Sequence, residues 1–287
     1  MLVTLKEVLA DARANCYAVP AFDCAEDIMV RTILRTCEAE RAPVIMMALE
    51  LDLETDDGNG WVYHTALIRA VADHHNVPIV LHLDHATELD TIRKALGLGF
   101  TSVMIDGSRL PFEENVRLTK SAVDLAEPLG ASVEAELGFV GGMDLEETQS
   151  AENVLTEPDE VTRFVEQTGV DALAVSIGTS HGVYRALPDL NIEKLKELNA
   201  VSPVPLVLHG GSGTPEEQIR DAVHNGICKV NLYADLRVAM YGALKTTVTA
   251  HERIDPLPRD LFQPMRKELA AVVRQKIELL GAKDQAR

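Results

Sequence analysis

The sequence predicts a single (β/α)8 barrel, and three observations carry that expectation. Short apolar runs rich in Val, Ile and Leu alternate with amphipathic helical stretches along the whole chain. Eight such runs can be counted, the number that closes a parallel barrel. Polar, metal-competent side chains also gather at the carboxyl ends of consecutive runs. Asp84 and His85 close VPIVLHLDH, Asp106 closes TSVMID, Glu136 closes ASVEAE, His181 follows DALAVSIGTS and His209 closes VPLVLH. Runs that are apolar throughout mark strands covered on both faces. Residues at the carboxyl ends of parallel strands converge on one mouth of a barrel, where such scaffolds keep their chemistry.

Taken in order, the runs place strands near 17–22, 43–48, 78–83, 101–105, 131–136, 172–177, 205–209 and 229–231. Helices fall between them, for example over 27–39, 88–97, 113–129 and 215–225. Thr214 before Pro215 reads as a cap with proline at the first helical position. Gly130 and Gly226 stop the helices before them. After the eighth strand come a helix near 235–250, a proline-punctuated turn (IDPLPRDLFQP) and an amphipathic helix over about 265–280. No repeat, low-complexity tract or linker composition interrupts residues 1–287, so the chain reads as one domain. The stretch 138–158 (GFVGGMDLEETQSAENVLTEP) is too long and polar for an ordinary βα connection. Its paired glycines make it read as a mobile active-site loop.

The chain's 287 residues, 46% of them hydrophobic, supply a sizeable core. No apolar run approaches the roughly 18 residues of a membrane span. The amino terminus has no basic region before an apolar core, so it does not read as a signal peptide. A formal charge of -18 argues against nucleic acid or an anionic membrane as the main partner. An anionic substrate must then be held by local donors. The cysteines (Cys16, Cys24, Cys37, Cys228) are scattered with no CxxC, as expected for free thiols in a reducing cytoplasm.

His85, His181 and His209 each lie at or just past a different strand end. Three such imidazoles around one mouth suit a catalytic zinc, which keeps three protein ligands and one open position. His64, His74, His75, His224 and His251, in helices or loops, read as structural, as does His82 inside a strand. HGGSGTPEE puts Gly210, Gly211, Ser212 and Gly213 between strand seven and its helix. There, glycines let an anion approach backbone amides and the helix amino terminus adds positive potential. The loop after strand seven is a common phosphate position in these barrels.

YAVPAF, APVI, VPIVLHLDHA, GFTSVMIDGS, PFEENVRLTK, SVEAELG, GTSHGVY, LHGGSG and KVNLYADL together resemble the class II, metal-dependent ketose-bisphosphate aldolases. That family includes fructose- and tagatose-bisphosphate aldolases. The likeness runs from about Leu5 to Ile277, and HLDH, SVMIDGS and HGGSG in this order make it specific. It implies a (β/α)8 barrel and a glycolysis-type lyase that reversibly cleaves a ketose (bis)phosphate to dihydroxyacetone phosphate and an aldehyde. It further implies a cytoplasmic homodimer or homotetramer whose partner is a phosphorylated sugar. Zinc would be held by His85, His181 and His209, and Asp106 and Glu136 match carboxylates able to hold a second divalent, or a monovalent, cation. Asp84 matches the catalytic aspartate, which would take the C4 hydroxyl proton as the C3–C4 bond breaks. Gly182, Gly210, Gly211, Ser212 and the stretch from Asn231 match the dihydroxyacetone phosphate site. The metal would stabilise the enediolate as a Lewis acid, and a loop acid in GGMDLEE, Asp144, would return the proton.

Several positions depart from the family pattern. Asp23 in AFD stands where AFN is usual, and MMALELDL replaces polar residues after APVI. Tyr233 and Ala234 stand at a pair that often offers a hydroxyl. Met143 and Asp144 follow GG where fructose-type members carry a glutamate. Arg109 replaces a common histidine, and Arg185 a common lysine. These departures predict intact metal chemistry with altered recognition of the distal phosphate. Four rival readings follow: an aldolase for a ketose monophosphate or sugar acid, a Schiff-base aldolase using Lys229, a metal-dependent hydrolase, and a non-catalytic paralogue.

Overall fold

The computed structural model describes residues 1–141, 153–179 and 188–286. The chain begins with α1 (Leu5–Asn15), β1 (Val19–Asp23), α2 (Asp27–Ala39) and β2 (Val44–Leu49). Then come α3 (Glu50–Leu53), α4 (Gly60–Ala72), β3 (Ile79–Ala86), α5 (Leu89–Leu98) and β4 (Ser102–Ile105). The middle continues with α6 (Phe112–Ala126), β5 (Ser132–Leu137), α7 (Pro158–Thr168) and β6 (Ala172–Val175). The remainder is α8 (Ile192–Val201), β7 (Leu206–Leu208), α9 (Glu216–His224), β8 (Ile227–Leu232), α10 (Ala234–Ala250) and α11 (Pro258–Leu279). The eight strands close a barrel in sequence order, every neighbouring pair parallel. This is the (β/α)8 fold predicted from the runs, with strand limits shifted by a few residues.

Local chemistry explains several element ends. Thr4 caps α1 in a reciprocal box: its hydroxyl accepts from the Glu7 amide, and the Glu7 carboxylate accepts from the Thr4 amide at 2.7 Å. Pro158 opens α7, where its missing N–H has no helical partner to lose. Two local expectations need correction. The Thr214 hydroxyl does not cap α9 but donates to the Gly210 carbonyl at 3.0 Å, tying the preceding loop together. The segment read as a proline-punctuated turn is already helical from Pro258, and Pro264 lies inside α11. A proline there removes one helical hydrogen bond. Burial of Met265, Leu269, Val273 and Ile277 on one face outweighs that loss.

The core is continuous from the strand interiors to the inner faces of the helices. Of the 138–158 stretch, Phe139 and Val154 pair across its base as an antiparallel bridge, while residues 142–152 lie outside the described residues. Among the described residues no helix is long and apolar enough to cross a membrane.

Candidate active site

Alternation along a strand sends every second side chain to the same face. His82 and Asp84 on β3, Glu134 and Glu136 on β5, and Lys229 and Asn231 on β8 therefore stack in two layers inside the barrel. His82, Glu134 and Lys229 form the lower layer, and Asp84, Glu136 and Asn231 the upper one at the mouth. All six are buried.

The strict alternation breaks at one place, and the break is what builds the mouth. Between β3 and β4 the register runs from Leu83↔Val103 to Ala86↔Ile105, one extra residue on β3. That bulge is accompanied by a left-handed backbone at His85, φ 48°. The conformation is uncommon for a residue with a Cβ and costs about 1–3 kcal/mol. It lets two consecutive residues, Asp84 and His85, both reach the mouth.

There the donors converge. His85 Nδ1 lies 2.9 Å from Asp106 Oδ2, and the His85 and His209 rings meet edge-on with centroids 4.6 Å apart. His209 Nδ1 is 3.3 Å from Glu136 Oε2. Glu136 Oε1 accepts from the Val140 amide, whereas the buried Oε2 makes no hydrogen bond. Ligand atoms of Asp84, His85 and His209 come together closely enough for one ion, and so do those of His85, Asp106 and Glu136. Imidazole nitrogens with carboxylate oxygens suit zinc and other divalent first-row metals. The charge balance fits a cation as well. Burial by itself would lower His85, but Asp84, Asp106 and Glu136 outweigh it and raise it well above the usual imidazole range. His209 is likewise raised, by Glu134 and Glu136 against burial. The mouth is thus short of positive charge, and the donor set fits a divalent metal.

Asp84 sits beside this set. Burial would raise its carboxyl, yet His85, His82, Lys229 and His209 hold it well below the usual range. Asn231 Nδ2 donates to both of its oxygens, at 3.2 and 3.0 Å. The Asn231 amide, expected to meet substrate, therefore orients Asp84 in this structure.

The layer beneath is where sequence reasoning fell short. Lys229 Nζ donates to Glu134 Oε2 at 2.7 Å and to His82 Nε2 at 3.2 Å. His82 Nδ1 pairs with Ser102 Oγ at 2.8 Å. Glu134 Oε1 lies 3.0 Å from His209 Nε2, so this carboxylate anchors the far side of the ring and leaves Nδ1 facing the mouth. Burial would raise Glu134, but Lys229 and His209 bring it down to about 2. The structural reading of His82 is thus incomplete, because it is wired through Lys229 to Glu134. Lys229 is enclosed by these partners, an arrangement that gives the Schiff-base reading no support. A signal was available: SVEAEL, HLD and KVN each place these residues on the face of a mouth residue.

Opposite, the loop after β7 has the shape expected for an anion cradle. Gly210 and Gly213 have φ of 70° and 74°. A Cβ on Gly211 would meet Val230 Cγ1 at 2.4 Å, so only glycine lets the loop pack against β8. The Ser212 hydroxyl accepts from the Tyr233 amide at 3.0 Å and the Asp235 amide at 3.3 Å. It ties the loop to the start of α10, where Ala234 is the first helical residue, and keeps its own proton for another acceptor.

At the end of β1, beside β8, Asp23 is buried. Burial, then Asp52 and Asp84, raise its carboxyl well above the usual range, with Arg237 partly opposing them. Its Oδ1 has no hydrogen-bond partner. Asp52, from the short α3 in the LELDL stretch, was not singled out from sequence. Arg237 stacks on Tyr233 with its guanidinium 4.8 Å from the ring centroid. Arg109 stacks on Phe139 at 4.6 Å. Asp144, His181, Gly182 and Arg185 lie outside the described residues.

A family model described as fructose-bisphosphate aldolase class-II matches residues 3–285. Among solved structures, the YdjI aldolase from Escherichia coli K12 superposes with a TM-score of 0.88 at 34% identity, covering 100% of both chains. A putative fructose-1,6-biphosphate aldolase from Coccidioides immitis gives 0.85 at 28% identity over 97% of this chain and 96% of that one. Fructose-bisphosphate aldolase from Campylobacter jejuni gives 0.83 at 22% identity over 99% and 96%, a likeness of fold.

Proposed function

The chain belongs to the class II fructose-bisphosphate aldolase family, and we propose that it is a zinc-dependent lyase cleaving a ketose 1-phosphate to dihydroxyacetone phosphate and an aldehyde. The observation that carries this reading is a buried aspartate, Asp84, held ionised beside a cation-deficient set of imidazoles and carboxylates. His85 and His209, with Asp106 or Glu136, would hold the ion, and His181 is the third imidazole of the proposal. A divalent ion there supplies Lewis-acid polarisation of the ketose C2 carbonyl.

The chain's own groups do the rest. The Gly210–Gly213 loop binds the C1 phosphate through backbone amides and the Ser212 hydroxyl, and Arg185 is proposed to add a cation. Asp84, aimed by Asn231 and held in its ionised form, accepts the proton of the C4 hydroxyl as the C3–C4 bond breaks. The electron pair of that bond moves towards the C2 carbonyl, C4 leaves as the aldehyde, and C3 is reprotonated, a step proposed for Asp144.

Asp23 and Asp52 shape the choice of substrate. A second phosphate near them meets like charge in a partly desolvated cleft, where such repulsion is stronger than in water. Carboxyl oxygens accept well from sugar hydroxyls. The reading therefore favours an uncharged, hydroxylated distal end over a bisphosphate. Turnover against ketose 1-phosphates, ketose bisphosphates, sugar acids and unphosphorylated ketoses, before and after chelation and zinc reconstitution, tests it. Failure of the zinc-loaded protein to cleave any phosphorylated ketose would overturn the activity. Activity that survives chelation and is trapped by borohydride on Lys229 would return the Schiff-base mechanism.

A further inference from the structure

On the outer flank of the barrel, a cavity of about 480 Å³ lies between α2 and α11. Its rim is basic: Arg31 and Arg35 from one turn pair of α2, Arg266 and Lys267 from α11. Arg31 is partly neutralised by Asp27 at 3.1 Å. The other three stand apart from every other lysine and arginine described. Elsewhere on α11, Arg274 pairs with Glu40 at 2.9 Å and Lys276 with Asp235 at 2.5 Å. Lys94, Arg109, Arg237 and Lys245 lie over aromatic rings, and Arg69 donates to the Leu98 carbonyl. Among the lysines and arginines of the described residues, Arg35, Arg266 and Lys267 are those whose side chains make no ion pair, hydrogen bond or ring contact, and all three line this one cavity.

Three uncompensated cations facing one another repel, and a chain of net charge -18 has abundant acids with which to pair them. The floor offers no counter-charge. Thr32 and Thr36 spend their hydroxyl protons on the Ile28 and Thr32 carbonyls, and Ala270 supplies an apolar contact. The volume is that of a small-molecule pocket. An acidic chain with one such local patch is a poor match to nucleic acid, which needs an extended basic face. Guanidinium forks recognise phosphate by paired hydrogen bonds.

We propose that the α2–α11 groove is a binding site for a small organic phosphate bearing at least two anionic groups, such as a nucleoside diphosphate, separate from the catalytic mouth. The phosphates meet Arg35, Arg266 and Lys267, and the organic body packs on Ala270 and the aliphatic stems of the basic side chains.

Calorimetric titration of the metal-loaded protein with ADP, and with AMP as the single-phosphate control, tests the site. The expected result is saturable ADP binding, tighter than AMP. It should weaken at least tenfold in the Arg35→Ala/Arg266→Ala/Lys267→Ala variant, whose basal ketose turnover stays unchanged. Binding should also fall as ionic strength rises. Because Arg35 and Lys267 are exposed and Arg266 is only half-buried, the variant should fold, and Lys267→Glu alone repeats the test if it does not. Absence of saturable ADP binding, AMP binding as tightly as ADP, or equal ADP binding by the variants overturns the proposal.

Discussion

Two layers of charge lie one above the other in this barrel, and they are finished differently. In the lower layer Lys229, Glu134 and His82 satisfy one another, Ser102 taking the remaining imidazole nitrogen. In the upper layer Asp84, Asp106 and Glu136 confront His85 and His209 with too little positive charge, and Glu136 Oε2 is left without a hydrogen bond. A closed set of buried charges fixes geometry, whereas an open one binds something. The lower layer buries an ion pair at a level usually filled by branched aliphatic side chains, and such a pair gives little stability of its own. What it provides here is direction: Glu134 holds His209 by Nε2, so the nitrogen facing the mouth is Nδ1.

The comparison can be broken most severely at His209. His209→Ala should abolish turnover and lower zinc content while circular dichroism still reports a folded barrel. A variant that keeps full zinc and a near-normal rate would remove His209 from the donor set. Asp84→Ala comes next. It should retain zinc and lose about 10²–10⁴-fold in cleavage, while proton exchange at C3 of dihydroxyacetone phosphate continues. An equal fall in both activities would mean that Asp84 maintains the metal site and does not handle the hydroxyl proton.

The lower layer should respond through stability. Lys229→Met removes the cation of a buried ion pair and leaves Glu134 Oε2 without its donor, and breaking such a pair costs about 3–5 kcal/mol. Thermal unfolding reads the loss. Glu134→Gln, nearly equal in volume, should in addition weaken zinc affinity by about 10–100-fold, as removal of a ligand's outer partner does. Unchanged zinc affinity with lowered stability would make the layer purely structural.

The smallest effect is expected at Asp23, beside the upper layer. Its carboxyl is raised in the folded protein, so its favourable, protonated state is fully present below the unfolded aspartate value of about 3.9. That contribution is lost as pH rises through the folded value. Asp23→Asn should therefore stabilise the protein near neutral pH, by roughly 2–6 °C in Tm, with the gain vanishing towards pH 3. It should also narrow the difference in kcat/KM between ketose monophosphate and bisphosphate. A Tm gain that persists undiminished in acid would contradict the assignment of a strained buried carboxyl.

The sequence by itself determined the fold class, the approximate position of every strand and the residues at the strand ends. Each of those follows from local rules: apolar runs of strand length, helical periodicity between them, and polar residues where a strand meets a loop. Asp84, His85, Asp106, Glu136 and His209 were legible for that reason, and so was the glycine-rich loop after the seventh strand. Tertiary structure alone decided which inward residues of different strands meet. That depends on the stagger of a closed barrel, which set Glu134 against Lys229 and brought Asp23 towards Asp52, 29 positions apart in sequence. The bulge that turns both Asp84 and His85 to the mouth is likewise invisible in HLDH, because an extra residue exists only relative to a partner strand. The unpaired basic rim between α2 and α11 joins residues more than two hundred positions apart, a proximity that only packing of the last helix on the second could create.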